Sequence, residues 1–268
     1  MSLSDAFIKG RCAFMPYVCC GDPDADFTLR LVKTLVDCGA DAIEFGIPFS
    51  DPIADGKTIQ MASQRALAGG MTPGKALGVL AKIRKSGVRV PIAVMTYYNI
   101  LFSEGVGKML AKIRRAGADG LIVPDVPLGE SASLRRACGR AGLELVLFAT
   151  PNCSDARLEK ISAASSGFIY AVSVLGTTGA RSNVGFPALQ LVRRVKCVSN
   201  LPLAVGFGIS KPSHIRAFRA AGADGVIVGS GIVNIYSKRI TGKKIRARAA
   251  LSDVARFAQG MVNMCHRR

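Results

Sequence analysis

The sequence predicts an α/β fold, a single (β/α)8 TIM barrel formed by residues 1–268, and three observations point to it. The chain has 268 residues, close to the roughly 250 that one such barrel uses. Short apolar runs alternate with longer amphipathic stretches, as repeated βα units around a parallel sheet require, and eight such runs can be counted. The octet Ala116-Gly-Ala-Asp-Gly-Leu-Ile-Val123 also returns almost unchanged as Ala221-Gly-Ala-Asp-Gly-Val-Ile-Val228, with Gly39-Ala-Asp-Ala-Ile43 as a third relative. A helix stop, a turn and a buried strand used repeatedly favour a closed barrel over an open doubly wound sheet.

The first apolar run, Cys12 to Cys20, imitates a secretory segment after Lys9 and Arg11. Asp5 upstream, Pro16 within it and Gly21-Asp22-Pro23 after it make it a strand instead, so no export is expected. Strands are predicted in order at Ala13–Cys19, Ala42–Phe45, Ile92–Met95, Gly120–Val123, Glu144–Phe148, Gly167–Val172, Pro202–Val205 and Gly225–Val228. Between them the spacing predicts helices near 26–37, 58–68, 73–85, 104–115, 130–140, 155–164, 187–198, 211–220 and 250–263. Gly39, Gly117, Gly142 and Gly222 stand where helices stop in a left-handed residue.

Composition narrows the function. With 49% hydrophobic and 20% charged residues there is ample core, so global disorder is excluded. Every apolar run is interrupted before the roughly 18 residues a membrane helix needs. The eight cysteines form no CxxC pair and read as free thiols in a cytoplasmic protein. Only His214 and His266 are available, too few for a zinc site of the usual histidine spacing. The net charge of +18 is concentrated late: residues 211–268 hold twelve Lys/Arg against Asp224 and Asp253. The run Lys238 to Arg248 carries no recognition motif and has only Tyr236 nearby as a stacking platform, so it reads as a solvated face or partner surface rather than a nucleic-acid site.

In a barrel the loops at the C-terminal ends of strands carry the chemistry. Strand six runs into Gly176-Thr-Thr-Gly-Ala-Arg181, strand seven ends in Gly206-Phe-Gly-Ile-Ser210, and strand eight in Gly229-Ser-Gly231. Together they predict a phosphate site at the C-terminal ends of strands 6–8, with a short extra helix from Gly231 to Tyr236. After strand two comes Glu44-Phe-Gly-Ile-Pro-Phe-Ser-Asp-Pro-Ile-Ala-Asp-Gly56. Glu44 lies inside an apolar strand, where desolvation raises a carboxyl toward the range of a general acid/base, although a structural hydrogen-bonding role is open. Asp55 can face the same cavity, and Asp51 can be a turn residue. No lysine falls at a strand end for a Schiff base, and two histidines cannot build a metal-dependent aldolase site. Carboxylate catalysis by Glu44 and Asp55 on a phosphorylated substrate is what remains.

The segment Glu44–Gly56 resembles the signature of the tryptophan synthase α chain. The likeness continues in family order through Pro16-Tyr-Val-Cys-Cys-Gly-Asp-Pro23, Met95-Thr-Tyr-Tyr-Asn99, Val123-Pro-Asp-Val-Pro127, Tyr170-Ala-Val-Ser-Val-Leu-Gly-Thr-Thr-Gly-Ala-Arg181, Gly206-Phe-Gly-Ile209 and Gly229-Ser230. It implies a lyase that cleaves indole-3-glycerol phosphate to indole and glyceraldehyde 3-phosphate, with no cofactor in this chain. It also implies an αββα complex in which indole passes to a β subunit holding pyridoxal phosphate. Under the resemblance Glu44 is the acid/base and Asp55 meets the indole N–H. Gly179, Gly208, Gly229 and Ser230 fall at the phosphate; Tyr17, Met95, Ile122, Tyr170 and Phe207 surround the indole and Glu44, ordinary barrel core being the alternative for the apolar ones. Thr178 matches the residue of a lid, 176–183, that meets Asp55. Asp51-Pro52 and the loop near Asn99 are the implied partner surface, while Asp125 and Asn99 can equally be turn caps. Cys19-Cys20 and the basic C-terminal third depart from the family pattern. The competing functions are another phosphate-binding barrel, such as an isomerase, and a partner-activating subunit with little catalysis alone.

Overall fold

A computed structural model of the chain describes residues 1–172, 185–206, 208–242 and 244–267. Eight parallel strands close into a barrel in sequence order: β1 (Ala13–Cys19), β2 (Ile43–Gly46), β3 (Ile92–Met95), β4 (Gly120–Ile122), β5 (Glu144–Ala149), β6 (Ile169–Val172), β7 (Leu203–Gly206) and β8 (Gly225–Val228). β8 pairs back onto β1, with Phe14 beside Val226. Each lies within two residues of the position its apolar run predicts.

The outer ring is α1 (Ala25–Asp37), α2 (Lys57–Ala68), α3 (Pro73–Lys85), α4 (Tyr98–Ser103), α5 (Val106–Ala116), α6 (Ser131–Ala141), α7 (Asp155–Ala164), α8 (Phe186–Val198), α9 (Pro212–Ala221), α10 (Ser230–Ser237) and α11 (Ala247–His266). Where caps are present they follow the side-chain rule: Asp24 accepts from Phe27 N at 2.7 Å, and Thr72 precedes Pro73 at the start of α3. The four predicted stop glycines all have positive φ, from 69° to 105°. Each ring helix turns its apolar stripe inward, as Leu31, Val32 and Leu35 of α1 do, all buried.

Three features escape the sequence reading. The short α4 lies ahead of the helix predicted from 104 and was not expected; Gly105, at φ 84°, separates it from α5, which matches that prediction to within two residues. A small antiparallel pair, β9 (Ile240–Thr241) and β10 (Lys244–Ile245), precedes α11, which is longer than predicted at both ends. A 3-10 turn, Leu3–Ala6, closes the barrel floor: Leu3 is fully buried, and its backbone N–H donates to Glu144 at 2.6 Å.

The repeated Gly-Ala-Asp unit has one structural job. Each aspartate accepts an N–H from the first or second residue of the preceding strand: Asp41 from Phe14 (2.8 Å), Asp119 from Ile92 (3.0 Å) and Asp224 from Leu203 (2.8 Å). Each also meets a cation, Arg11 for Asp41, Arg84 for Asp119 and Lys196 for Asp224, and His266 Nε2 lies 2.8 Å from Asp41 Oδ2. These devices sit at the N-terminal face, where a barrel keeps its stability apparatus. Asp119→Ala should therefore cost about 3–5 kcal/mol, because it strands the half-buried Arg84 guanidinium beside an unsatisfied Ile92 N–H. Urea unfolding measures the loss, and the folded fraction should keep its turnover.

Candidate active site

At the opposite end, a cavity open to solvent sits over the strand ends. Tyr17 and Glu44 are neighbours in register on β1 and β2, and Met95 ends β3. Asp55 comes in from the loop before α2, Tyr170 from β6, and Gly208, Gly229 and Ser230 from beyond β7 and β8. Eight residues expected at the catalytic, indole and phosphate positions thus line one space.

Glu44 is 1% exposed, and its Oε2 has no hydrogen-bond partner among the described residues. Burial, and secondly the charge of Asp55, push its carboxyl up to about 8. An unsatisfied buried carboxyl oxygen is costly to keep, which argues against a purely structural role. Asp55 is pushed up to about 6 by burial, opposed by a hydrogen bond from the Tyr97 hydroxyl at 3.0 Å. That hydroxyl in turn accepts from Ala54 N at 3.1 Å, and the Tyr97 ring stacks on Phe49 with centroids 5.0 Å apart. Asp55 is therefore held on a fixed support, whereas Glu44 is left with hydrogen-bonding capacity for a ligand.

Two glycines make room for the aromatic walls. A Cβ at Gly46 would strike the Tyr17 ring, and one at Gly206 the Tyr170 ring. Gly206→Ala is thus expected to displace Tyr170, lowering stability by about 1–3 kcal/mol and raising KM; urea unfolding and steady-state kinetics check both.

The rim opposite Glu44 is built differently. α10 starts at Ser230, one residue earlier than predicted, and its N-terminus opens on the cavity through Gly229 and Ser230. Gly208 has φ 75°, and no described residue apart from its chain neighbours stands within 4 Å of where its side chain would be. Free N–H groups at a helix start and an uncrowded glycine backbone suit an anion. Along the chain, a sequence model of the tryptophan synthase alpha chain family matches residues 3–264.

The chain belongs to the tryptophan synthase alpha chain family. Among curated tryptophan synthase alpha chains, that of Methanosarcina acetivorans is 49% identical over 230 residues, covering 86% of this chain and 83% of the relative. That of Methanothermobacter thermautotrophicus is 42% identical over 246 residues, covering 91% of each. The tryptophan synthase alpha subunit of Pyrococcus furiosus superposes with a TM-score of 0.86 at 36% identity, covering 94% of this chain and 98% of that one. Its structure from work on mutual activation in the Pyrococcus furiosus α2β2 complex gives 0.85 at 35% identity. As a tryptophan synthase alpha chain the protein is a lyase.

The remaining expected site residues divide in two. Ile122 is fully buried in β4, paired with Met95, and does not line the cavity. Thr178, Gly179, Phe207 and the rest of 176–183 lie outside the described residues. Asp125 takes the capping alternative, its carboxylate accepting from Tyr98 N at 3.0 Å at the start of α4. Sequence reasoning missed Thr58, Ile59, Ile209 and Ile227, which line the cavity, and Tyr97, which supports Asp55. Tyr97 stands inside the Met95–Asn99 segment, so its place after a strand end was the available signal.

Proposed function

We propose that Glu44 and Asp55 carry out the retro-aldol cleavage of indole-3-glycerol phosphate to indole and D-glyceraldehyde 3-phosphate. The observation that carries this reading is one cavity holding two buried carboxyls, one pushed up to about 8 and the other to about 6. Between those values Glu44 keeps its proton while Asp55 is ionised, so one site offers an acid and a fixed negative charge together. Glu44 gives its proton to C3 of the indole ring, turning the ring into an electron sink. The Glu44 carboxylate then takes the proton of the side-chain hydroxyl as the C3–C3′ bond breaks. The bonding pair returns to the ring, the aldehyde carbonyl forms, and Glu44 ends protonated as it began. Asp55 accepts a hydrogen bond from the ring N–H and stabilises the positive charge that develops there, most strongly in the transition state.

Tyr17, Met95 and Tyr170 form the apolar and aromatic wall for the ring, and the N-terminus of α10 with Gly208 receives the phosphate. Gly179, Phe207 and Thr178 belong to the same reading by resemblance. The reaction needs no cofactor in this chain; pyridoxal phosphate belongs to the β subunit. We take residues 1–268 as one functional domain, working in the cytoplasm; all eight cysteines are free thiols, and no described helix is long and apolar enough to cross a membrane.

The test is the pH dependence of kcat/KM for indole release, with glyceraldehyde 3-phosphate identified as the second product. A bell is expected, falling below about 6 as Asp55 is protonated and above about 8 as Glu44 ionises. Activity that keeps rising above pH 9 would remove Glu44 as the acid. Indole-3-glycerol phosphate consumed without release of indole would instead favour the isomerase alternative.

The partner in this reading is a tryptophan synthase β subunit in an αββα assembly. Beyond β2 the loop exposes Asp51 and Ile53, the latter 75% exposed, and α4 exposes Asn99 and Phe102, the latter 67% exposed. Apolar side chains standing in solvent beside the cavity mouth suit a protein contact. With +18 on this chain, the β chain it fits is acidic, and association should weaken as salt is added. Titration at two ionic strengths reads this directly; an unchanged Kd would count against it. The basic residues Lys238, Arg239, Lys244, Arg246 and Arg248 are solvated, and Tyr236 beside them is buried and so offers no stacking platform to a nucleic acid.

A further inference from the structure

Behind the cavity lies a buried polar cluster that the proposed chemistry does not use. Asp22, fully buried in the loop after β1, receives the Arg65 guanidinium in a fork: Nε to Oδ1 at 2.8 Å and Nη2 to Oδ2 at 2.7 Å. Its Oδ2 also accepts the Tyr236 hydroxyl at 2.7 Å, and Arg65 Nη2 reaches Ser237 Oγ at 3.1 Å. Tyr236 is 1% exposed and packs edge-on against Phe27, centroids 5.4 Å apart.

The positions of these residues in the chain give the cluster its interest. Arg65 is on α2, the helix that begins two residues after Asp55. Tyr236 and Ser237 end α10, the helix whose start carries Gly229 and Ser230. The same two helices are joined again near the cavity, where Thr58 Oγ1 donates to Asn234 Oδ1 at 3.2 Å. A buried charge pair is tolerable only with its hydrogen bonds complete, so the cluster permits one relative placement of α2 and α10.

We propose that Asp22, Arg65 and Tyr236 are positioning residues that tie α10 to α2, so that phosphate captured at the start of α10 holds Asp55 in its reactive place. The proposal rests on the reading of Gly229 and Ser230 as the phosphate end. It explains how binding energy from the non-reacting end of a substrate is converted into turnover at the other end. Without the tie, phosphate would still anchor the substrate but would no longer improve the alignment of Asp55.

The experiment compares indole-3-glycerol phosphate with indole-3-glycerol, its phosphate-free counterpart, in the assembled enzyme. Wild type, Tyr236→Phe and Ser237→Ala are used, the last being a half-exposed side chain whose loss leaves the Asp22 fork intact. In wild type the phosphate should raise kcat as well as lower KM. In Tyr236→Phe the kcat ratio of the two substrates should fall about tenfold, with a smaller fall in Ser237→Ala, while KM for the phosphorylated substrate changes little. A cluster that only stabilises the fold would lower turnover of both substrates together, and an unchanged ratio in both variants overturns the proposal. If wild type itself gains nothing from the phosphate in either kcat or KM, the phosphate reading fails and the proposal falls with it. Should Tyr236→Phe not fold, Ser237→Ala decides.

Discussion

Glu44→Gln is expected to lower turnover by about 10²–10⁴-fold and at the same time to make the protein more stable above neutral pH. The first effect follows because the amide keeps the shape of the side chain but can neither deliver a proton to the ring nor take one from the hydroxyl. The second follows from the burial of Glu44, which holds its folded-state carboxyl near 8 against an ordinary value of 4.5. Between those values the folded protein binds a proton that the unfolded chain has released, so wild-type stability falls as pH rises through this window and levels off above it. Gln carries no such penalty. The two proteins should therefore match at pH 4 and diverge by on the order of 5 kcal/mol at pH 9. Urea unfolding across pH, paired with an indole assay, measures both. A variant that is inactive and equally pH-sensitive would show that Glu44 is not the titrating group.

Asp55→Asn should cost about 10²–10³-fold in kcat with little change in KM, since a neutral amide can accept the ring N–H bond but does not offset the charge that grows in the transition state. Its residual activity carries a second signature. Asp55 is one of the two causes that raise Glu44, the lesser one after burial. Removing its charge should move the alkaline limb of the residual activity to lower pH, as Glu44 then ionises more readily. A limb that stays in place would mean the two carboxyls are not coupled as their shared cavity implies.

The barrel was legible because its signals are local. Eight apolar runs mark eight strands, and a glycine with positive φ ends each of four ring helices at the place predicted. Glu44 was legible for a related reason, a charge inside an apolar strand being conspicuous without any fold. The support of Asp55 was not. Tyr97 lies 42 residues away and meets Asp55 only because β2 and β3 are neighbours in the closed sheet. The same holds for Ile209 and Ile227, whose cavity-facing position is set by barrel geometry, whereas their own sequence reads as core. Leu3–Ala6 carries no strand or long-helix pattern, and its role as a floor depends on Glu144, which captures its backbone from far along the chain. The Asp22 cluster joins three segments, and none of its members is unusual until the other two are beside it.

The pairing of β1 with β8 has a consequence for how the molecule is made. β1 ends at Cys19, and the strand that covers one of its edges is made only from Gly225 onward. Cys12, just ahead of β1, donates its N–H to the carbonyl of Cys265 on α11. At about 5–20 residues per second, the uncovered edge waits for roughly ten seconds or more during synthesis. Parallel pairing across such a separation is slow to form, and an open edge invites the wrong strand. Nascent chains arrested before Gly225 should therefore be protease-sensitive along β1 and β7 and should bind chaperones, and this liability should vanish once α11 has emerged to seal the ring.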